Sequence, residues 1–186
     1  MASEAYKKVI VVNGSPRKGN TEWMLGKLAE VLDGRGVQTN ILALRKLEIK
    51  SCTGCLTCEA GGVNRKGVCK LDDDMNSIYA ELLKADGWII GTPVYFEMIS
   101  GLLKNFMDRT CPIWPGLAGK KMCGVAVAEE GIGKAIDNLK TYAGVCQMKY
   151  IGSVTTLAKT PKQASCDKNL AKRLERMADR FVVALG

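Results

Sequence analysis

Three cysteines stand at strict three-residue spacing in Cys52-Thr53-Gly54-Cys55-Leu56-Thr57-Cys58, and Cys69 follows after ten intervening residues. Thiolates are soft ligands that select iron–sulfur clusters and zinc. Three thiols this close can wrap one compact multi-iron ligand, with a fourth arriving from further along the chain. Zinc more often takes two separated cysteine pairs, and the thiols could also stay free or bridge one another. All three outcomes remain open on spacing alone. The chain contains no histidine, which removes mixed Cys/His zinc sites and Ser–His or Cys–His catalysis. The remaining cysteines, Cys111, Cys123, Cys146 and Cys166, read as ordinary buried thiols, which behave as small, inert hydrophobes.

A second group of polar residues fills Asn13-Gly14-Ser15-Pro16-Arg17-Lys18-Gly19-Asn20-Thr21. It follows an apolar run and opens a helical pattern, where backbone N–H groups and the helix dipole favour an anion. Ser15 and Thr21 add hydroxyls, Asn20 an amide, and Arg17 and Lys18 charge. Gly14 and Gly19 have the spacing of a nucleoside-triphosphate loop, but Asn20 stands where that motif needs lysine. The loop therefore suits a phosphate monoester. A plain helix cap would need one such residue, not a run of them. A third segment, Thr92-Pro93-Val94-Tyr95-Phe96-Glu97-Met98, follows another apolar run and offers Tyr95 and Phe96 to a planar ring.

The elements that must position these groups follow from periodicity. Lys8–Asn13, Val37–Leu44, Trp88–Gly91, Lys121–Ala128 and Lys149–Leu157 read as strands. Helical stripes run through Met24, Leu25, Leu28, Val31 and Leu32, ending at Gly34 and Gly36. Others run through Met75, Ile78, Tyr79, Leu82 and Leu83, with an N-cap offered by Asp72–Asp74, and through Ile99, Leu102, Leu103, Phe106 and Met107. The last two run through Ala135, Ile136, Leu139, Tyr142 and Ala143, and through Leu170, Leu174, Met177, Phe181 and Val182. Residues 50–70 show neither period. This alternation predicts a parallel sheet with helices on both faces, with ligands outside the carboxyl ends of the strands.

Gly14–Thr21 together with Thr92–Arg109 (TPVYFEMISGLLKNFMDR) resembles the NADPH-dependent FMN reductase family of flavodoxin-fold proteins. The resemblance implies an α/β, three-layer fold whose five-stranded parallel sheet has the order 2-1-3-4-5, with a cysteine-rich insertion after strand 2. It implies FMN as cofactor, its phosphate on the first segment and its ring bordered by Thr92, Pro93, Val94, Tyr95, Phe96 and Met98. A third loop, Glu129-Glu130-Gly131-Ile132-Gly133, would line the flavin through Glu130 and Gly131. The cysteine loop resembles that of the iron–sulfur flavoproteins, a branch of the same family. That likeness implies Cys52, Cys55, Cys58 and Cys69 as ligands of a [4Fe–4S] cluster. It also implies electron transfer with a ferredoxin-like carrier or a small-molecule acceptor, NAD(P)H as a possible donor, and a homo-oligomer, dimer or tetramer.

At 186 residues, 47% hydrophobic and 25% charged, the chain fits one globular domain over residues 1–186, with 50–71 as its cysteine-rich loop. The longest apolar runs are strand-sized, so no membrane span and a cytoplasmic protein are expected. The net charge of +8 is spread out, thickening at Arg45–Lys50, at Arg65–Lys70 and along the last helix. No stacking aromatics interleave with it, which argues against nucleic acid; an acidic redox partner at Lys50, Arg65, Lys66 and Lys70 would exploit it. Two competing functions remain: an NAD(P)H-dependent FMN or quinone reductase without a cluster, and a non-enzymatic flavin-binding module with a structural zinc site.

Overall fold

In the computed structural model, which describes residues 6–59 and 69–186, the strands alternate their side chains between two cores. Val9 and Val11 of β1 (Lys8–Asn13) pack on one face, and Ile10 and Val12 on the other, the period of two that a strand buried on both sides requires. The first face is covered by α1 (Asn20–Asp33) and α5 (Lys168–Leu185), through Met24, Leu25 and Leu28 on one helix and Leu170, Leu174 and Phe181 on the other. The second is covered by α2 (Met75–Lys84), α3 (Gly101–Arg109) and α4 (Ala135–Val145), through Ile78, Leu103, Phe106 and Leu139. None of these helices is long and apolar enough to cross a membrane.

The sheet runs β2 (Gln38–Ala43), β1, β3 (Gly87–Tyr95), β5 (Lys121–Ala128), β6 (Lys149–Leu157), every neighbouring pair parallel. Counting the parallel strands alone, this is the expected order 2-1-3-4-5, the flavodoxin-like arrangement. The order reverses between β1 and β3, so the loops after these two strands flank the switch point where such sheets hold ligands.

Two local expectations need correction. β3 does not stop at Gly91 but continues through Thr92, Pro93 and Val94 to Tyr95. Pro93 is tolerated there because β1 ends at Asn13, opposite Gly91, so no ladder on that side needs its missing N–H. The chain then doubles back through a two-residue strand, β4 (Met98–Ile99), antiparallel to Val94 and Tyr95. Ile99 thus belongs to β4 and not to α3, which begins at Gly101 behind its cap Ser100. At the start of α2 the run Asp72–Asp74 supplies a cap as expected, through Asp73, whose carboxylate accepts from Met75 N–H; Asp74 does not cap. The carboxylates of Asp73 and Asp74 also accept from Lys50 and Glu48 backbone N–H groups, both at or before the start of the cysteine loop.

Candidate functional site

The loop after β1 is knitted to the centre of the sheet. Gly14 N–H donates to Gly91 O at 2.8 Å, and Ser100 Oγ donates to Gly14 O at 2.6 Å. A Cβ at Gly14 would lie 2.7 Å from Leu103 Cβ and 2.9 Å from Gly91 O, so glycine is what lets α3 pack against the root of this loop. Ser15 is buried and turned inward, its hydroxyl donating to Arg17 O at 2.8 Å. Thr21 is buried, while Arg17 and Lys18 reach solvent. Asn20 is fully engaged: its amide donates to Thr160 O at 2.9 Å and accepts from Ala164 N–H at 3.1 Å. That brace to the turn after β6 was not legible in the sequence, because 140 residues separate its ends.

What the loop leaves open is the amino end of α1. Its N-cap is Gly19, in extended conformation, and among the described residues no side chain accepts from the first-turn N–H groups. An uncapped helix start over a buried loop is a ready anion site, and the residues present fit a phosphate there.

Across the switch point, Phe96 and Glu97 form the two-residue tip of the β3–β4 hairpin, with φ of +47° and +66°. Two left-handed residues are what such a hairpin demands, and Asn-Gly is the usual pair. Here an aromatic holds the first position with its side chain fully in solvent. Tyr95 and Met98 beside it are also exposed, Val94 is half-buried, and Thr92 and Pro93 are buried. The Thr92 hydroxyl donates to Pro93 O and accepts from Ser100 N–H. The tip is propped by the loop after β5: Lys134 N–H donates to Glu97 O at 2.6 Å, and any Cβ at Gly133 would collide with the Glu97 backbone. Glu130 and Gly131 lie in that same loop, Glu130 exposed and 3.7 Å from Lys159 Nζ. Because Phe96 buries nothing, replacing it with glycine should raise stability by about 1 kcal/mol, the scale of the left-handed penalty it removes. A urea unfolding midpoint that falls instead would mean the ring packs on its own chain.

The thiols gather at the other end of α3. Cys52, Cys55, Cys58 and Cys69 line one pocket with Arg109 and, unexpectedly, Cys111. Cys52 and Cys55 are exposed, and Cys58, Cys69 and Cys111 half-buried. Among the described residues no three metal-ligating side chains converge on a single-ion point. Cys52 Sγ accepts from Gly54 N–H at 3.5 Å. Hydrogen bonds from the Thr57 hydroxyl and N–H lower the Cys55 thiol to about 7, so it is substantially thiolate at neutral pH. Cys123 and Cys146 are buried as expected, Cys166 is exposed contrary to expectation, and burial pushes the Cys123 thiol up to about 12.

The pocket is closed by a buried ion pair. Arg109 donates to both oxygens of Asp73 at 2.5 and 2.9 Å and to Lys50 O at 2.7 Å. Both side chains are excluded from solvent. The pair thereby joins the two ends of the cysteine segment to the last turn of α3. Lys50 is tied down by its ammonium to Asp72 O, and Lys70 is exposed. Arg65 and Lys66, the other basic residues expected to flank the loop, and Gly61 and Gly62 lie outside the described residues. A separate hollow lined by Lys8, Gln38, Asn40, Glu81 and Lys84 sits at the amino edge of the sheet and follows no strand end.

The model of NADPH-dependent FMN reductases matches residues 7–163. The chain belongs to this family. Its relatives place it in the iron–sulfur flavoprotein branch of the FMN reductases. An iron–sulfur flavoprotein of Methanocaldococcus jannaschii is 36% identical over 122 residues, covering 65% of this chain and 61% of that protein. One of Archaeoglobus fulgidus is 38% identical over 103 residues, covering 55% and 48%. The chain thus spans about half to six-tenths of the length of these relatives. An iron–sulfur flavoprotein of Clostridioides difficile is 27% identical, covering 95% of this chain and 79% of that one. Among solved structures, an NADH:FMN oxidoreductase in its apo form superposes with a TM-score of 0.74 at 21% identity, over 97% of this chain and 90% of that one. A flavodoxin from the Archaea does so at 0.63 and 14%, over 95% and 98%. These two likenesses establish the shared fold.

Within this member of the FMN reductase family, α3 is the element that relates the two candidate subsites. Its cap residue Ser100 is bonded to Gly14 in the loop after β1, and its last residue, Arg109, lines the thiol pocket. Nine helical residues span about 14 Å, so the helix acts as a fixed spacer between them.

Proposed function

We propose that the chain is an FMN-dependent oxidoreductase that transfers electrons between FMN and a [4Fe–4S] cluster held by Cys52, Cys55, Cys58 and Cys69. One observation carries the reading: all four of these thiols line a single pocket at one end of α3, while the other end is bonded to an uncapped phosphate loop. When bound, FMN would supply paired-electron chemistry and the cluster one-electron steps, a division that links a one-electron carrier to a two-electron acceptor.

The protein's own part is to bind and orient. The uncapped start of α1, with Ser15, Arg17, Lys18 and Thr21 around it, would hold the phosphate; Asn20 would act by bracing the loop. The β3–β4 hairpin, presenting Val94, Tyr95, Phe96 and Met98 over the buried Thr92 and Pro93, would hold the ring, with Glu130 and Gly131 on the facing loop. Hydrogen bonds from the Thr57 hydroxyl and N–H to the Cys55 sulfur stabilise its thiolate, the form that ligates metal. A pocket lined by several cysteine sulfurs suits a thiolate-bound cluster. An acidic ferredoxin-like carrier would dock at Lys50 and Lys70.

The test is anaerobic purification followed by the visible spectrum and the iron, sulfide and zinc content per flavin. The reading expects about four iron and four sulfide per chain, and loss of most of that iron in Cys55→Ser with FMN retained. Iron-free protein bleached rapidly by NADH or NADPH would favour a cluster-free reductase, and zinc without turnover a structural module; either sinks the cluster.

A further inference from the structure

The pocket holds five sulfurs, one more than the four that a [4Fe–4S] cluster takes from cysteine. The surplus is Cys111. Its Sγ lies 3.6 Å from Cys58 Sγ, two thiols in van der Waals contact although 53 residues apart in sequence. Cys111 N–H donates to Asp108 O at the end of α3, and Pro112 and Ile113 behind Cys111 are buried, so its backbone is fixed. Cys58 sits in a short turn closed by Glu59 N–H to Leu56 O, on an otherwise exposed loop. A disulfide needs its sulfurs about 2.05 Å apart and its β-carbons about 3.5–4.5 Å apart. At 3.6 Å the two sulfurs are about 1.6 Å short of forming that bond, and Cys58 stands on the exposed loop while Cys111 is anchored.

We propose that Cys111 lies outside the ligand set and is the disulfide partner of Cys58 whenever the pocket holds no cluster. This rests on the reading of Cys58 as a ligand. The oxidant is a low-molecular-weight disulfide, RS–SR. The Cys58 thiolate attacks one of its sulfurs, breaking the S–S bond and releasing RS⁻, which takes the proton Cys58 gave up. The Cys111 thiol then loses its proton, attacks the Cys58 sulfur of the mixed disulfide and expels the second RS⁻, which leaves as RSH. Two protein thiols are oxidised by two electrons, and one external disulfide is reduced to two thiols. The bond keeps Cys58 off the irreversible part of the oxidation ladder and bars a cluster until a thiol reductant reopens it.

The experiment uses the full chain, stripped of iron with a chelator, treated with oxidised glutathione, blocked with N-ethylmaleimide and digested with trypsin without reduction. The tryptic peptides 51–65 and 110–120 should emerge joined, with fragment ions placing the link on Cys58. The joined species should vanish from both Cys58→Ser and Cys111→Ser. Finding Cys111 carrying maleimide or glutathione while Cys58 is linked to Cys52, Cys55 or Cys69 would overturn the pairing. In a second arm, anaerobically purified Cys111→Ser should keep the iron and sulfide of the wild type. A loss of half or more would make Cys111 a ligand and overturn the assignment. Iron-free wild type would instead remove the cluster reading and leave the cross-link to decide the pairing.

Discussion

Removing the Arg109 guanidinium should be among the most damaging single changes this chain can suffer. Arg109→Ala is expected to cost about 3–5 kcal/mol, the usual penalty for stranding one member of a buried ion pair, out of a total stability on the order of 10 kcal/mol. The lost partner is Asp73, sealed from solvent and bonded to Lys50 and Met75 N–H groups as well. Burial alone would raise the Asp73 carboxyl; the Arg109 guanidinium and the two backbone donors outweigh it and hold it below the ordinary carboxylate range. Stability from this carboxylate is therefore fully present above its unfolded value of about 3.9 and is lost as pH falls through the lower folded value. The double variant Arg109→Met with Asp73→Asn should recover about half of the loss, because it leaves no orphan charge, although the amide offers an oxygen to only one of the two N–H groups. Urea unfolding at neutral pH measures both variants. An Arg109→Ala midpoint within error of wild type would show that the pair closes nothing.

The same pair shows where reading the sequence runs out. The strands and helices were legible because burial imposes a period: the alternation of Val9, Ile10, Val11 and Val12 and the stripe Met24, Leu25, Leu28 both survive in the folded chain. The thiol triplet and the run after β1 were legible as sites because their chemistry is local. Arg109 and Asp73 were not, since they lie 36 positions apart and look in isolation like two of many surface charges. Cys111 failed for the same reason: spacing marks Cys52, Cys55 and Cys58, but nothing local distinguishes a lone cysteine that the fold carries to Cys58 from one that it buries, as it does Cys123. The end of β3 was placed too early, at Gly91; only the early finish of β1 at Asn13 lets β3 run on past Pro93. Contacts made by topology, not by neighbours in sequence, are the part that a single chain of letters conceals.

Topology also makes Gly19 the most informative position in the phosphate loop. It caps α1 without a side chain, its φ of −177° is open to any residue, and a Cβ there would meet nothing within 4 Å. Gly19→Asp should therefore fold without strain and supply the missing cap. Its carboxylate would accept from the first-turn N–H groups and gain a few tenths to about 1 kcal/mol of stability. Those are the donors assigned above to the flavin phosphate. The carboxylate competes for them and opposes a second negative charge at contact distance, a repulsion of about 1–4 kcal/mol depending on exposure. FMN affinity should accordingly drop about a hundredfold, roughly 2.7 kcal/mol, while riboflavin, which lacks the phosphate, binds as before. Flavin titrations of the apoprotein measure both ligands. The sign of the two changes is what discriminates: a merely disruptive substitution lowers stability and affinity together, whereas an occupied anion site raises one and lowers the other. A stabilised Gly19→Asp protein that binds FMN as tightly as wild type would place the phosphate elsewhere.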